Sequence, residues 1–331
     1  MSLIKPREYF SGFANVWTPV LGSAQLKSAP VPLTVAGEKL VLFRGASGPA
    51  ALFDHCPHRG VALSLGQVRE GCIQCPFHGW RFDETGAARL VPWNPEAKTE
   101  PLRAMSVPVA EVGGLVWLYT APGTEAPELP PLAKLLARRA KSVVTEQLST
   151  THWSRVMENA LDAPHLPFVH RWTIGLAARA SAENGGRMET SFNRTEYGGE
   201  IQWSIDGATS GPNQGWIRYY APNVMQLGFQ ADHGALPEQL LAVVPVDGAR
   251  TRSLSILAPG LSFFKVMDFL IADRLRWEDR HVVETHDPPE IPPGSDEVSV
   301  RSDRATLAFR ALYDTTLRRS FAVAPAARGL P

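Results

Sequence analysis

Between Trp17 and Tyr119 short apolar or β-branched runs alternate with Gly- and Pro-bearing turns. Val31–Val35 and Lys39–Phe43, separated by Ala36–Gly37–Glu38, predict a hairpin. Ala50–Phe53, Cys72–Cys75, Trp80–Phe82 and Leu115–Tyr119 continue the series. Ala121–Pro131 holds four prolines, a glycine and two glutamates, which break any regular element. Beyond it Leu132–Lys141 is helical in composition, and Thr151–His170 predicts a second helix interrupted by Pro164 and Pro167. From Arg187 to Leu257 alternation returns (Ile201, Trp203, Ile205; Trp216, Arg218, Tyr220; Leu240, Ala242, Val244, Val246) and predicts an antiparallel sheet. Phe263 to His286 is the strongest helix, with Phe264, Ile271, Leu275 and Val282 on one face, and Arg301–Arg319 is helical too. The pattern is α+β: an all-β N-terminal domain over 1–125 and a sheet-and-helix domain over 126–331.

Composition narrows the partners. Lys plus Arg and Asp plus Glu are both 33, a balance that argues against nucleic acid and against a basic membrane-binding patch. No run approaches the ~18 apolar residues of a membrane span, and MSLIKPREYF lacks the apolar core of a secretory signal. Three cysteines make a disulfide scaffold a poor fit and point to a reducing, cytoplasmic setting.

Two loops carry the most specific chemistry. Cys56–Pro57–His58–Arg59–Gly60 and Cys75–Pro76–Phe77–His78–Gly79–Trp80 each offer one thiolate and one imidazole. Two Cys and two His also suit tetrahedral zinc, but zinc fingers usually pair cysteine with cysteine and histidine with histidine. Mixed loops suit a centre with two inequivalent metal positions, such as a [2Fe–2S] cluster with Cys₂ on one iron and His₂ on the other. Neutral imidazoles in place of two thiolates reduce the negative charge and raise the potential. Gly60 and Gly79 let the loops close over the cluster. Cys72 lies outside the motif and reads as a small buried hydrophobe. Over Trp17 to Tyr119 the sequence resembles the Rieske domain of the Rieske non-haem iron oxygenases.

In the second domain, residues 158–170 contain Asp162-x-x-His165-x₄-His170. Asp162 before Ala-Pro also suits a helix cap, and both histidines also suit ordinary surface or core positions. On an ideal helix, positions five apart point about 140° from each other, so an unbroken helix would not let both imidazoles grip one ion. Pro167 between them is expected to break the ladder and re-aim the second ring. Two histidines and a carboxylate on one face of Fe(II) leave open positions for oxygen and substrate. The acid comes from elsewhere: Glu278 and Asp279 both flank the apolar stripe of the long helix, while Glu284 points away, and periodicity does not separate the two. A salt bridge to Arg274 or Arg310 is the alternative fate of such an acid.

The same pattern resembles the mononuclear-iron site of the Rieske oxygenases. By that resemblance His165 and His170 match the ligand histidines, and Asp279, with Glu284 five residues on, matches the third ligand, Glu278 being its rival. Asp162 matches the aspartate that bridges to a cluster histidine of a neighbouring subunit, here matching His78. Asn159 falls where a polar residue near the iron is common. The resemblance implies a helix-grip (START-like) catalytic domain enclosing an apolar cavity, for which Trp203, Trp216, Tyr220, Met225 and Phe229 are candidates. It also implies a head-to-tail homotrimer and use of O₂. No Gly-x-Gly-x-x-Gly fingerprint is present, so electrons are expected from a separate NAD(P)H-dependent reductase, with or without a ferredoxin. The chain resembles the terminal oxygenase of the single-subunit-type branch, which implies monooxygenation: hydroxylation or oxidative demethylation of a small apolar aromatic or polycyclic molecule. A ring-hydroxylating dioxygenase and a Rieske electron carrier with a non-catalytic second domain are the alternatives.

Overall fold

Strands form where apolar alternation places them. The computed structural model describes residues 8–99, 102–137, 143–206, 212–231, 234–235, 238–257, 264–294 and 297–318. The chain divides into two compact units, Met1–Arg139 and Ala140–Pro331. In the first, β1 (Trp17–Gly22), β2 (Val31–Val35), β3 (Glu38–Arg44), β4 (Pro49–Phe53), β5 (Gln67–Arg69), β6 (Cys72–Gln74), β7 (Arg81–Phe82), β8 (Ala88–Leu90), β9 (Ser106–Val107), β10 (Val109–Val112) and β11 (Leu115–Tyr119) build three antiparallel sheets. Their orders are β1-β11-β10, β2-β3-β4-β9 and β5-β6-β7-β8. Val35 pairs with Glu38 across the Ala36–Gly37 turn, so the hairpin is two residues tight. Val41, Phe43, Leu52, Leu63, Ile73 and Phe82 share one core with Cys56 and Cys75. Burying such a side chain contributes ~1.5–3 kcal/mol, so the two sulfurs sit against the most stable part of the unit. The proline-rich stretch is pinned to this unit by Trp17 Nε1–H donating to the Pro127 carbonyl at 3.0 Å. Helix α1 (Pro131–Leu136) follows, its Leu136 lying over Gly113.

The second unit is a sheet of β12 (Val143–Ser149), β13 (Met188–Thr195), β14 (Gly198–Ile205), β15 (Pro212–Tyr220), β16 (Val224–Ala231), β17 (Gly234–Ala235), β18 (Gln239–Pro245) and β19 (Thr251–Leu257). Its order is β12-β19-β18-β16-β15-β14-β13, with β17 on β16, all antiparallel. Against it lie α2 (Trp153–Leu161), α3 (Leu166–Val169), α4 (Leu176–Glu183), α5 (Phe264–Val283) and α6 (Arg304–Leu312). Trp153, Met157 and Leu161, four apart on α2, are buried with Ile201, Ile217, Met225, Phe309 and Tyr313. Helix α2 stops at Leu161 because Ala163 precedes Pro164 and is pushed out of the helical region.

On α5 the side chains of Phe264 and Ile271 lie outside the described residues. Leu275 is half-buried, as its place on the stripe requires, but Val282 is exposed and Val283 is buried. There Glu284 accepts the Thr150 N–H at 2.7 Å and fixes the last turn with Val283 inward. Among the described residues no helix is long and apolar enough to cross a membrane.

Candidate metal centres and active-site cavity

The two Cys/His loops are built alike. In each, the glycine N–H donates to the carbonyl of the cysteine four residues earlier: Gly60 to Cys56 at 2.8 Å, Gly79 to Cys75 at 3.1 Å. The cysteine N–H in turn donates to Val61 or Trp80, both at 2.8 Å. Closing so tight a turn requires a left-handed residue, and Gly60 and Gly79 have φ of 74° and 72°. Both cysteines are buried, with the Cys75 sulfur beside that of Cys56. Burial, with the second sulfur alongside, pushes the Cys56 thiol up to about 11, so a pair of thiolates here needs a cation. His58 and His78 face each other with ring centroids 4.7 Å apart, and Trp80 stacks flat on His58 at 4.6 Å. His58 Nδ1 is buried without a hydrogen-bond partner. Two sulfurs and two imidazoles, one ring nitrogen orphaned, fit the donor set of a Rieske cluster. Cys72 is half-buried, a free thiol outside this set.

The second constellation converges from three elements. His165 and His170 stand at the two ends of the single turn α3, as its N-cap and C-cap. Pro167 does not break that turn, contrary to the sequence expectation. It occupies the first turn, where its missing N–H is not needed, and Val169 N–H still reaches the His165 carbonyl at 2.9 Å. The rings converge because each leaves an end of the turn, His170 with ψ already at 31°. Their Nε2 atoms are 3.3 Å apart. Asp279 Oδ1 lies 3.5 Å from His165 Nε2 and 3.2 Å from His170 Nε2. Donors bound to one ion at ~2.1 Å, 90–109° apart, stand ~3.0–3.4 Å from each other, so these three atoms fit a facial metal site. They form the one such group of His, Cys, Asp and Glu found among the described residues.

The neighbouring acid has a different position. Glu278, buried, accepts from His170 Nδ1–H at 3.0 Å and from Arg274 Nε–H at 2.8 Å. Glu278 thereby holds a proton on Nδ1, leaving Nε2 to donate to Asp279 when the ring is protonated or to offer its lone pair to a metal ion. Burial lowers the His170 pKa, and the Asp279 and Glu278 carboxylates outweigh it, so the net shift is upward. Burial raises the Asp279 pKa, but the His170 hydrogen bond, the His165 charge and the Asn159 amide pull it below the ordinary range. Asn159 Nδ2–H donates to Asp279 Oδ1 at 3.1 Å. Asp162 Oδ2 accepts the His165 backbone N–H at 3.0 Å and lies 3.5 Å from His165 Nδ1. This contact closes the link between α2 and α3 without capping α3, whose N-cap is His165, so the helix-cap role expected from its place before Ala-Pro is not the one Asp162 takes. His78 is exposed in the first unit.

A cavity of about 90 Å³ opens onto these atoms, lined by Ile174, Trp203, Ile217, Leu227, Phe229, Leu241 and Leu275 among others. Of the five candidates for its wall, Trp203 and Phe229 line it and meet edge to face at 6.0 Å. A Cβ on Gly215 would stand 2.5 Å from the Trp203 ring, so glycine lets the indole lie flat over the strand. Trp216 and Tyr220 do not line it: they alternate with Ile217 and Tyr219, and so face the other side of the sheet, where Trp216 lies under Arg218 and Tyr220 stacks on Tyr197. Met225 shares the inner face but is consumed by the core with Trp153 and Met157. Apolar strand residues at Leu227 and Leu241 carried no signal that separated them from any other core position.

Comparison with known proteins matches these sites. Residues 16–106 match the Rieske [2Fe-2S] domain and residues 149–319 the vanillate O-demethylase oxygenase C-terminal domain. The chain is 38% identical over 160 residues to the 3-chlorobenzoate-3,4-dioxygenase oxygenase subunit of Comamonas testosteroni, covering 46% of this chain and 37% of that protein. It is 27% identical over 327 residues to methylxanthine N1-demethylase of Pseudomonas putida, covering 92% and 88%. The fold superposes on dicamba monooxygenase bound to dicamba with a TM-score of 0.77 at 20% identity, covering 93% of this chain and 97% of that one. The matched segments span 26–45% of the first three curated relatives. With one domain model covering its first metal-binding unit and the other more than half its length, the chain belongs to the Rieske non-haem iron oxygenases.

Proposed function

We propose that this chain is a terminal oxygenase that hydroxylates or oxidatively demethylates a small aromatic molecule, using O₂ and electrons from a separate NAD(P)H-dependent reductase, with or without a ferredoxin. The convergence of His165 Nε2, His170 Nε2 and Asp279 Oδ1 within 3.5 Å at the floor of an apolar cavity carries this proposal. When bound, a Rieske cluster supplies electrons singly and a ferrous ion supplies the chemistry of dioxygen. Cys56, His58, Cys75 and His78 would hold the first, and His165, His170 and Asp279 the second. Glu278 keeps the His170 proton on Nδ1, and Asn159 orients the Asp279 carboxylate. Trp203 and Phe229 exclude water and lay a flat ring beside the triad. Monooxygenation is favoured over ring dihydroxylation by the near full-length match to a methylxanthine N1-demethylase.

Two further parts of the proposal concern assembly and setting. Asp162, half-buried beside His165, and the exposed His78 suit a head-to-tail homotrimer in which the Asp162 carboxylate of one copy accepts a hydrogen bond from His78 of the next. Three cysteines, two of them in the cluster loops, are too few for a disulfide framework and suit the reducing cytoplasm. The deciding experiment is His165→Ala. Cluster absorbance and sulfide content should be retained while about one iron per chain and all product formation are lost; product formed at an appreciable fraction of the parent rate would refute the assignment.

A further inference from the structure

The cavity wall is graded in polarity. Cross-strand partners point to the same face of a sheet, and the pairings Trp203–Gly215–Phe229 and Ile217–Leu227 place an apolar end on β14, β15 and β16. The pairings Leu227–Gln239, Leu241–Ser255 and Thr145–Ser255 carry the same face across β18, β19 and β12, where it becomes polar. Gln239 Nε2–H donates to Ser255 Oγ at 3.1 Å. Over this end lies Arg276 of α5, 7% exposed and part of the cavity lining. Its Nη1–H donates to Thr145 Oγ1 and its Nη2–H to Asp273 Oδ1. Asp273 is 68% exposed and so screens the cation weakly. The Arg276 Nε–H is buried and has no acceptor among the described residues. Leaving a donor on a buried cation unmet is costly, and here the unmet donor belongs to a cavity wall. Arg276 precedes Asp279 by three residues, ~4.5 Å along the axis and on the same side of the helix.

We propose that Arg276 anchors the substrate, and that the substrate is an aromatic molecule carrying a carboxylate. Its acid oxygen takes the Arg276 Nε–H at the polar end, its ring lies by Trp203 and Phe229, and the carbon to be oxidised faces the triad. This rests on the oxygenase assignment for its chemistry but not for its test. Binding is read by calorimetry on the iron-loaded protein without reductase, with 3-methoxybenzoate against 3-methoxybenzamide and 3-methoxytoluene. The acid should bind about 10- to 100-fold more tightly than the toluene. R276Q should remove that preference while leaving the toluene within about threefold, with cluster spectrum and iron content unchanged. R276K, which keeps the charge and lacks Nε, should lose most of it as well. Equal affinity for acid and neutral analogues, no detectable binding of the acid, or an acid preference that survives R276Q overturns the anchor. Acid binding through Arg276 without reductase-driven oxygen uptake overturns the oxygenase assignment alone.

Discussion

Glu278 and Asp279 are consecutive, yet a helical step of ~100° sends one carboxylate to Nδ1 of His170 and the other toward its Nε2. The first therefore acts through the imidazole and the second beside it. Removing the first leaves His170 free to take the wrong tautomer and strips a buried ring nitrogen of its acceptor. Glu278→Ala should weaken iron binding about 10- to 100-fold, measured by chelator competition, with the cluster spectrum unaltered. Glu278→Gln keeps an acceptor oxygen and should lose less. The sequence could not make this assignment, because both acids flank the apolar stripe and differ only in which nitrogen of a distant ring they meet. The bland fate expected of such an acid, an ion pair with Arg274, belongs to Glu278 as well. Arg276 gave no signal at all: its meaning arises from Thr145, Gln239 and Ser255, which only the sheet register brings to the same wall.

Helices α2 and α6 are tied to the segment that follows α5 by buried charge. Arg155, 1% exposed, donates to Glu158 and Glu297, and Arg310 reaches the same two acids. Arg155 and Arg310 hold the Glu297 carboxyl down at about 2. A carboxyl whose folded pKa is depressed stabilises the fold above its unfolded value, near 4.5, and that contribution is lost as the pH falls toward 2. Glu297→Gln should therefore unfold more easily than the parent at neutral pH, by about 1–2 kcal/mol given its partial exposure. The difference should shrink as the pH falls from about 4.5 and vanish only below about pH 2, in thermal melts across the pH range. Elements of this kind were largely legible beforehand. Period-two runs marked the strands, and Trp153, Met157 and Leu161 marked the inner face of α2. Proline chemistry was not: Pro164 ends α2 through its predecessor, whereas Pro167 sits harmlessly in a first turn, and position within a helix cannot be read before the helix start is known.

At the scale of the whole molecule the proposed function requires an electron to pass from one metal centre to the other. Outside the triad itself, Asp162 is the acid that meets His165 among the described residues, and its side chain keeps 24% exposure. Asp162→Asn should leave both centres filled and slow single-turnover reduction of the mononuclear site by orders of magnitude. Normal reduction would remove Asp162 from the path, and sedimentation of both proteins tests the trimer independently. The two constellations were readable in advance because their parts come as short motifs, Cys56 with His58, Cys75 with His78 and His165 with His170, whereas the cavity, drawn from six or more elements, was not. That contrast has a consequence for the ion itself. His165 and His170 hang from one self-closed turn, a claw that a handful of consecutive residues holds open. The third finger arrives on a remote helix, so loosening that helix would withdraw Asp279 first and leave the two imidazoles in place.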